Sequence, residues 1–251
     1  MQRKFVKTRN AKGFVSALSK LEERGAEEAC LMVVDGQPGL GKTATVQWWA
    51  VQNGAVFLRA KKEWSPRWML RELLEELRVR PAWSFEQMYR QAIEALQAAA
   101  DRAQTEGRTF AVVVDEVDHI SRSARHLETL RDLSDMLEIP FILVGMGRVR
   151  HNLTRFEQIA SRIAQYVEFQ AGSLEDVAAM IAELCDVSVK PDLVEKVHQL
   201  SGGRFREVKE AITAIERFGK RAAKKEMGAA EMDGNVLLYD RHSGRELRVK
   251  A

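Results

Sequence analysis

The feature that most restricts what this chain can fold into is Gly36-Gln37-Pro38-Gly39-Leu40-Gly41-Lys42-Thr43, placed just after the unbroken apolar run Cys30-Leu31-Met32-Val33-Val34. Such a run reads as a strand buried on both faces. The residues from Thr43 to Gln52 read as a helix, so the glycines occupy the turn of a strand–loop–helix unit. Gly36, Gly41, Lys42 and Thr43 fill the phosphate-loop pattern G-x-x-x-x-G-K-[ST]. The residue types follow from the chemistry. Glycines let consecutive backbone N–H groups curl around phosphates, the lysine reaches the β and γ oxygens, and the hydroxyl of Thr43 ligates Mg²⁺. Residues 36–44, Ala44 included, are therefore the expected nucleotide-binding segment.

The same alternation continues along two-thirds of the chain. Asn10 is placed to cap a helix carrying Phe14, Ala17, Leu18 and Leu21 on one face. Ala55–Leu58, Phe110–Val114, Pro140–Val144 and Tyr166–Phe169 read as further strands. Between them lie a helix opened by Pro66 and running to about Arg78, and an Ala-rich helix from the Ser84…Gln87 capping box to about Gln104. A third helix separates the strands at 110–114 and 140–144. Strands alternating with helices imply a parallel five-stranded sheet covered on both faces, a three-layer α/β core.

From Ser173 the pattern is helical only, over about 174–185, 191–200 and 204–226. The expected division is an α/β core at 1–172, a small all-α segment at 173–227 and a tail at 228–251. The tail carries a possible hairpin built on Val236–Tyr239 and Leu247–Val249.

A second motif supports a nucleotide site. Val112-Val113-Val114-Asp115-Glu116 puts two carboxylates at the end of a buried strand. Asp115 is placed to hold the metal through water, and Glu116 to orient and activate a water on a γ-phosphate. An acid aimed at water suits hydrolysis better than transfer to a small molecule. Asp118 has no role that its position assigns.

Taken together these motifs resemble those of the AAA+ ATPases, over about residues 8–226, with the helical segment similar to the family's lid. The resemblance implies further site residues. Ser161-Arg162-Ile163 matches the element that carries an arginine finger, which would reach a neighbour's γ-phosphate and complete the site only on assembly. Gly203-Arg204-Phe205-Arg206 matches the lid sensor, making Arg206 the sensor and Arg204 a substitute. One departure stands out. Where the family has a polar first sensor, this chain reads Val144-Gly145-Met146-Gly147-Arg148, and a methionine cannot orient water by hydrogen bonding. Either Arg148 or Asn152 covers that role or turnover is slow.

Within the family, segments 59–71, 129–148 and 155–162 resemble the transposition ATPases, protein B of Mu-like phages and related target selectors. That likeness implies ATP and Mg²⁺ as cofactors, assembly as a homo-oligomer or helical filament on double-stranded DNA, and stimulation of a DDE transposase. A helicase loader or replication initiator shares the motifs, as does a nucleotide-switched signalling NTPase that binds no DNA. The Mu-like proteins also carry an N-terminal DNA-binding module. No such module fits before residue 10, so DNA contact is expected from the ATPase core.

Net charge does not locate that contact, because 39 Lys and Arg face 36 Asp and Glu. Local clusters do. Arg59, Lys61, Lys62 and Arg67 follow the second strand with Trp64 and Trp68 among them, and Lys61, Lys62 and Arg67 are the DNA candidates. Arg217, Lys220, Arg221, Lys224 and Lys225 share one face if the last helix runs to 226, for DNA or a partner. Trp48 and Trp49 read as core. Two cysteines, Cys30 and Cys185, and five histidines without metal-ligand spacing suggest neither a disulfide framework nor a zinc site. No membrane span or signal peptide is evident, so the expected location is the cytoplasm.

Overall fold

A computed structural model describes residues 1–26 and 28–250. The chain forms two compact units, one of Gly13–Gln37 and Lys42–Phe169, the other of Met1–Lys12, Pro38–Gly41 and Gln170–Ala251. Helix α1 (Arg9–Glu22) lies mostly in the first, followed by β1 (Leu31–Asp35), α2 (Lys42–Asn53), β2 (Val56–Arg59), α3 (Pro66–Glu76), α4 (Phe85–Thr105) and β3 (Val112–Asp115). Then come α5 (Ala124–Leu137), β4 (Phe141–Val144), α6 (Val149–Leu153), α7 (Glu157–Ala160) and β5 (Ile163–Glu168).

The five strands form one parallel sheet in the order β2-β3-β4-β1-β5. Val112, Val113 and Val114 are fully buried, as are Phe141, Ile142 and Val144, because helices cover both faces and no position alternates to solvent. The edge strand β5 shows no such run and begins at Ile163 rather than Tyr166. Parallel register aligns the ends of the strands. Arg59 stands opposite Asp115, and the Gly145 N–H donates to the Val34 carbonyl. The segments that follow β1, β2, β3 and β4 therefore leave the sheet at one edge, where open α/β sheets bind their ligands.

Ser84 and Gln87 close the expected capping box at 3.2 and 3.4 Å, which fixes the start of α4. Asn10, by contrast, does not cap α1. The helix starts at Arg9, the Ala11 N–H reaches Thr8 Oγ1, and the Asn10 amide bonds Gln170 through both its N–H and its carbonyl.

The second unit contains α8 (Leu174–Leu184), β6 (Ser188–Val189), α9 (Pro191–Ser201), α10 (Phe205–Arg221), β7 (Glu226–Met227), α11 (Ala229–Met232), β8 (Val236–Tyr239) and β9 (Glu246–Arg248). Its grouping differs from a division drawn at residues 172 and 227. Val6 at one end of the chain and Leu237, Leu238 and Val249 at the other join the apolar core of α8, α9 and α10. That packing anchors the β8–β9 hairpin, which a two-stranded ribbon alone would not sustain. Helix α10 ends at Arg221, short of 226, because Ala223 takes φ +50° and Met227 is drawn into a parallel pair with Val189. Only Arg217, Lys220 and Arg221 of the second basic cluster therefore lie on the helix. Lys224 and Lys225 fall beyond it, and Lys224 pairs with Glu231 at 3.8 Å.

Among the described residues no helix is long and apolar enough to cross a membrane.

Candidate nucleotide site

The loop after β1 has the shape its glycines require. Gly36 has φ +142°, and a Cβ there would stand 2.6 Å from the Phe169 carbonyl oxygen, so only glycine fits. Lys42 opens α2 with its side chain buried, and its Nζ donates to the Gly36 and Gln37 carbonyls at 2.5 and 2.8 Å. The ammonium thus folds back onto the carbonyls that open the loop. On the next residue, Thr43 Oγ1 donates to Asp115 Oδ2 at 2.8 Å. Asp115 is 3% exposed, and its other oxygen accepts the Glu116 N–H at 2.9 Å.

These groups fit a magnesium nucleotide. An ammonium and a hydroxyl–carboxylate pair meet at the start of a helix whose macrodipole favours anions. Among the described residues no group of three or more His, Cys, Asp and Glu could hold a metal ion. A magnesium ion at Thr43 and Asp115 would therefore complete its shell with phosphate oxygens and water.

Glu116 takes a left-handed conformation, φ 57° and ψ 35°, which turns its side chain away from the line of the strand. The carboxylate lies 3.8 Å from Arg59 Nε and 3.6 Å from His119 Nε2. The pairing with Arg59 is not legible in the sequence, since it depends on β2 and β3 being neighbours in register. The loop after β4 is fastened from two sides. Asp35 accepts the N–H groups of Gly36, Gly147 and Arg150, and Asp118 Oδ2 accepts the Met146 N–H at 2.7 Å. Asp118, unassigned from sequence, thus ties the segment after β3 to the segment after β4. The buried Asn152 amide donates to Ser121 Oγ at 2.8 Å. Arg148 is exposed ahead of α6.

Arg162 is held elsewhere. Its carbonyl accepts the Leu31 N–H at the start of β1, whereas the phosphate loop follows the end of that strand, roughly 13 Å away at the usual rise per residue. Its guanidinium Nε donates to Asp135 Oδ2 at 2.8 Å.

In the second unit, the Arg206 N–H donates to the Gly39 carbonyl at 3.2 Å, and a Cβ on Gly39 would lie 3.7 and 3.8 Å from the Cβ atoms of Arg206 and Arg204. The first turn of α10 therefore abuts residues 38–41. Glu207 sits there too, one oxygen buried without a partner and the other accepting from Arg241 Nε at 2.8 Å.

The basic loop after β2 is partly engaged. Lys61 pairs with Glu72 and lies 5.2 Å from the centre of the Trp68 ring, Lys62 is exposed, and Arg67 donates to the Trp83 carbonyl. Trp64 is buried, as is Trp49, while Trp48 is half-buried. His126 of α5 anchors this loop, with Nε2 3.1 Å from the Trp64 carbonyl and Nδ1 2.7 Å from Ser123 Oγ.

Burial pushes the His126 imidazole below its ordinary pKa, so the folded chain keeps it neutral where the unfolded chain takes up a proton. Its contribution to stability should be full above about pH 6.5 and decline as pH falls below that value. Urea midpoints at about pH 7.5 and 5.5 should fall more for wild type than for His126→Gln. Equal falls would show that this histidine does not couple the loop to pH.

The sheet order and the loop after β1 define the α/β fold of the P-loop NTPases. Residues 25–153, just over half of the chain, match the AAA domain family, and the chain belongs to that family. No curated protein matches the sequence. Among solved structures it resembles the ORC1 protein of Aeropyrum pernix in complex with DNA at 16% identity and TM-score 0.57, covering 87% of this chain and 61% of that one. A Walker-type ATPase of Pyrococcus abyssi matches at 15% identity and TM-score 0.62, over 86% of this chain and 69% of that one. CDC6P of Pyrobaculum aerophilum matches at 12% identity and TM-score 0.63, over 92% and 68%. At these identities the likeness is one of fold.

Proposed function

We propose that this chain is an ATPase that assembles on double-stranded DNA with little sequence preference and, in the transposition-type reading, recruits or stimulates a DDE transposase. The observation that carries the proposal is the continuity of one sheet edge. Lys42, Thr43 and Asp115 form a nucleotide site, Glu116 stands beside them, and its partner Arg59 leads directly into Lys61 and Lys62.

Bound ATP supplies the phosphoanhydride to be cleaved and Mg²⁺ the charge that stabilises its oxygens. Lys42 and the loop N–H groups hold the phosphates, and Thr43 with Asp115 positions the ion. Glu116 must turn from Arg59 and His119 to accept a proton from water. Arg206, seated at Gly39 through its backbone, acts as the lid sensor. Arg162, at the far end of β1, serves a neighbouring subunit, so turnover is slow in the free chain and depends on assembly. A replication initiator shares the same motifs, and one of the fold relatives, the ORC1 protein, was solved in complex with DNA. Preference for single strands or binding to a replicative helicase would favour that reading.

The DNA reading is tested by salt dependence. Removing one phosphate neighbour from the duplex interface flattens the plot of log affinity against log salt by about 0.9. Lys61 must surrender Glu72 to reach a phosphate and Lys62 need not. Lys61→Ala with Lys62→Ala should therefore reduce the slope by about 0.9 to 1.8, with ATP present. Two unrelated duplexes should behave alike, and strong discrimination between them or an unchanged slope would remove this loop from the account. Nucleotide-driven oligomers that bind no duplex would support the signalling reading instead.

A further inference from the structure

Among the described residues, the most exposed aromatic side chain belongs to neither the nucleotide site nor the core. Trp83, in the turn between α3 and α4, is 87% exposed. A single exposed apolar side chain marks nothing by itself, so what bears on Trp83 is the set of rings and charges around it. It borders a cleft of about 770 Å³ walled by Trp68, Arg67, Arg71, Arg80 and Glu75.

The charges and rings there alternate. Lys61 Nζ lies 5.2 Å from the Trp68 ring centre, and the Arg67 guanidinium lies 5.7 Å from that of Trp83. Arg71 pairs with Glu75 at 3.0 Å, which uses the one carboxylate among these wall residues and leaves Arg67 and Arg80 as net positive charge. Ser65 caps α3 just ahead of Trp68, and the Ser84 capping box fixes the start of α4 just after Trp83, so each tryptophan stands close to a capped helix start.

We infer that this cleft binds an unpaired strand of DNA, with a base stacked on Trp83 and phosphates on Arg80 and Arg67. Flat rings interleaved with cations suit a strand whose bases are free, because every base offers a π-face and every phosphate a charge. Paired bases are hidden inside a duplex and cannot stack there. A groove for the apolar face of a helix would instead present aliphatic pockets, and the apolar remainder of this wall is only Pro81, Ala82 and Met88. The strip continues into Lys61 and Lys62, so the inference rests on the DNA reading above and extends it: duplex phosphates meet the loop after β2, and a locally opened strand reaches the α3–α4 turn.

The test measures binding of oligo(dT), oligo(rU) and a blunt duplex of equal length by anisotropy, with ATP, in the full chain. Trp83→Ala should weaken oligo(dT) binding by roughly 5- to 150-fold, the range for losing one base stack. Trp83→Phe should recover most of it, since a smaller ring still stacks, and duplex binding should be unchanged in both. Trp83 is solvent-exposed, so neither substitution opens the core. Arg80→Ala should lower the oligo(dT) salt slope by about 0.7. Wild-type affinity for oligo(dT) in Trp83→Ala, with duplex binding intact, overturns the inference and leaves the DNA reading standing. Failure of wild type to bind any of the three nucleic acids removes both. Tighter binding of oligo(rU) than oligo(dT) through Trp83 overturns the assignment to DNA.

Discussion

Lys42→Ala should reduce ATP binding below detection, whereas Glu116→Gln should bind ATP at near wild-type affinity and lose turnover by about 10²- to 10⁴-fold, the range for removing a general base. The separation follows from where the two side chains act. The Lys42 ammonium is buried and folded onto the Gly36 and Gln37 carbonyls, so its deletion removes the one cation that the loop carries toward the phosphates. Alanine there also leaves those carbonyls without their charged donor. The ionic partners of Glu116 are Arg59 and His119, and glutamine retains its shape while losing the ability to take a proton. Equilibrium binding of a fluorescent ATP analogue and steady-state phosphate release read the two effects separately. A Glu116→Gln variant that hydrolyses ATP at the wild-type rate would assign the base elsewhere.

Arg162→Ala should leave the nucleotide affinity of a single chain unchanged and lower hydrolysis in the assembly by about 10³-fold, the lower range for an arginine finger. Removing the Arg162 guanidinium also leaves Asp135 without its Nε partner, and Asp135 already has one buried oxygen without a hydrogen bond. Loss of stability is therefore a rival explanation for lost activity, and a mixing experiment separates the two. Combined with Glu116→Gln chains, Arg162→Ala chains should regain turnover at interfaces that join an intact Glu116 to a neighbour's intact Arg162. Destabilised chains would show no such recovery. Asp135→Asn, which weakens the internal pair without touching Arg162, should retain hydrolysis in the assembly. Absence of rescue, with assembly verified by light scattering, would count against Arg162.

The strands and the phosphate loop are readable in the sequence because their signals are local. A buried parallel strand is a run of apolar residues, and the loop is a fixed spacing of glycines with a lysine. The edge strand β5 reads shorter in the sequence than it is, because one side has no neighbour to bury it and its apolar run is interrupted. The end of α10 is hidden for a different reason. No glycine or proline marks it, and the helix yields to the burial of Met227, which lies about 38 residues from its partner Val189 in sequence. Asp35, Asp118 and Arg59 do not announce themselves as site residues because each acts across strands. Their partners are set by the order β2-β3-β4-β1-β5, which no local pattern encodes. The partner of Asn152 is hidden on similar grounds, since Ser121, which accepts from its amide, lies 31 residues earlier.

The last two dozen residues bear on how the protein can be shortened. Arg241, in the turn of the β8–β9 hairpin, pairs with both Glu207 and Glu210 on the first turns of α10, beside the Arg206 N–H that meets Gly39. A chain cut after residue 227, as the sequence alone would suggest for a minimal ATPase, would strip the apolar cover of Leu237, Leu238 and Val249 from the helical core. It would also leave two carboxylates without their cation, one of them beside Gly39. Such a fragment would be both stickier and more anionic around the first turns of α10 than the native chain, and weak nucleotide binding by it would describe the cut and not the native chain.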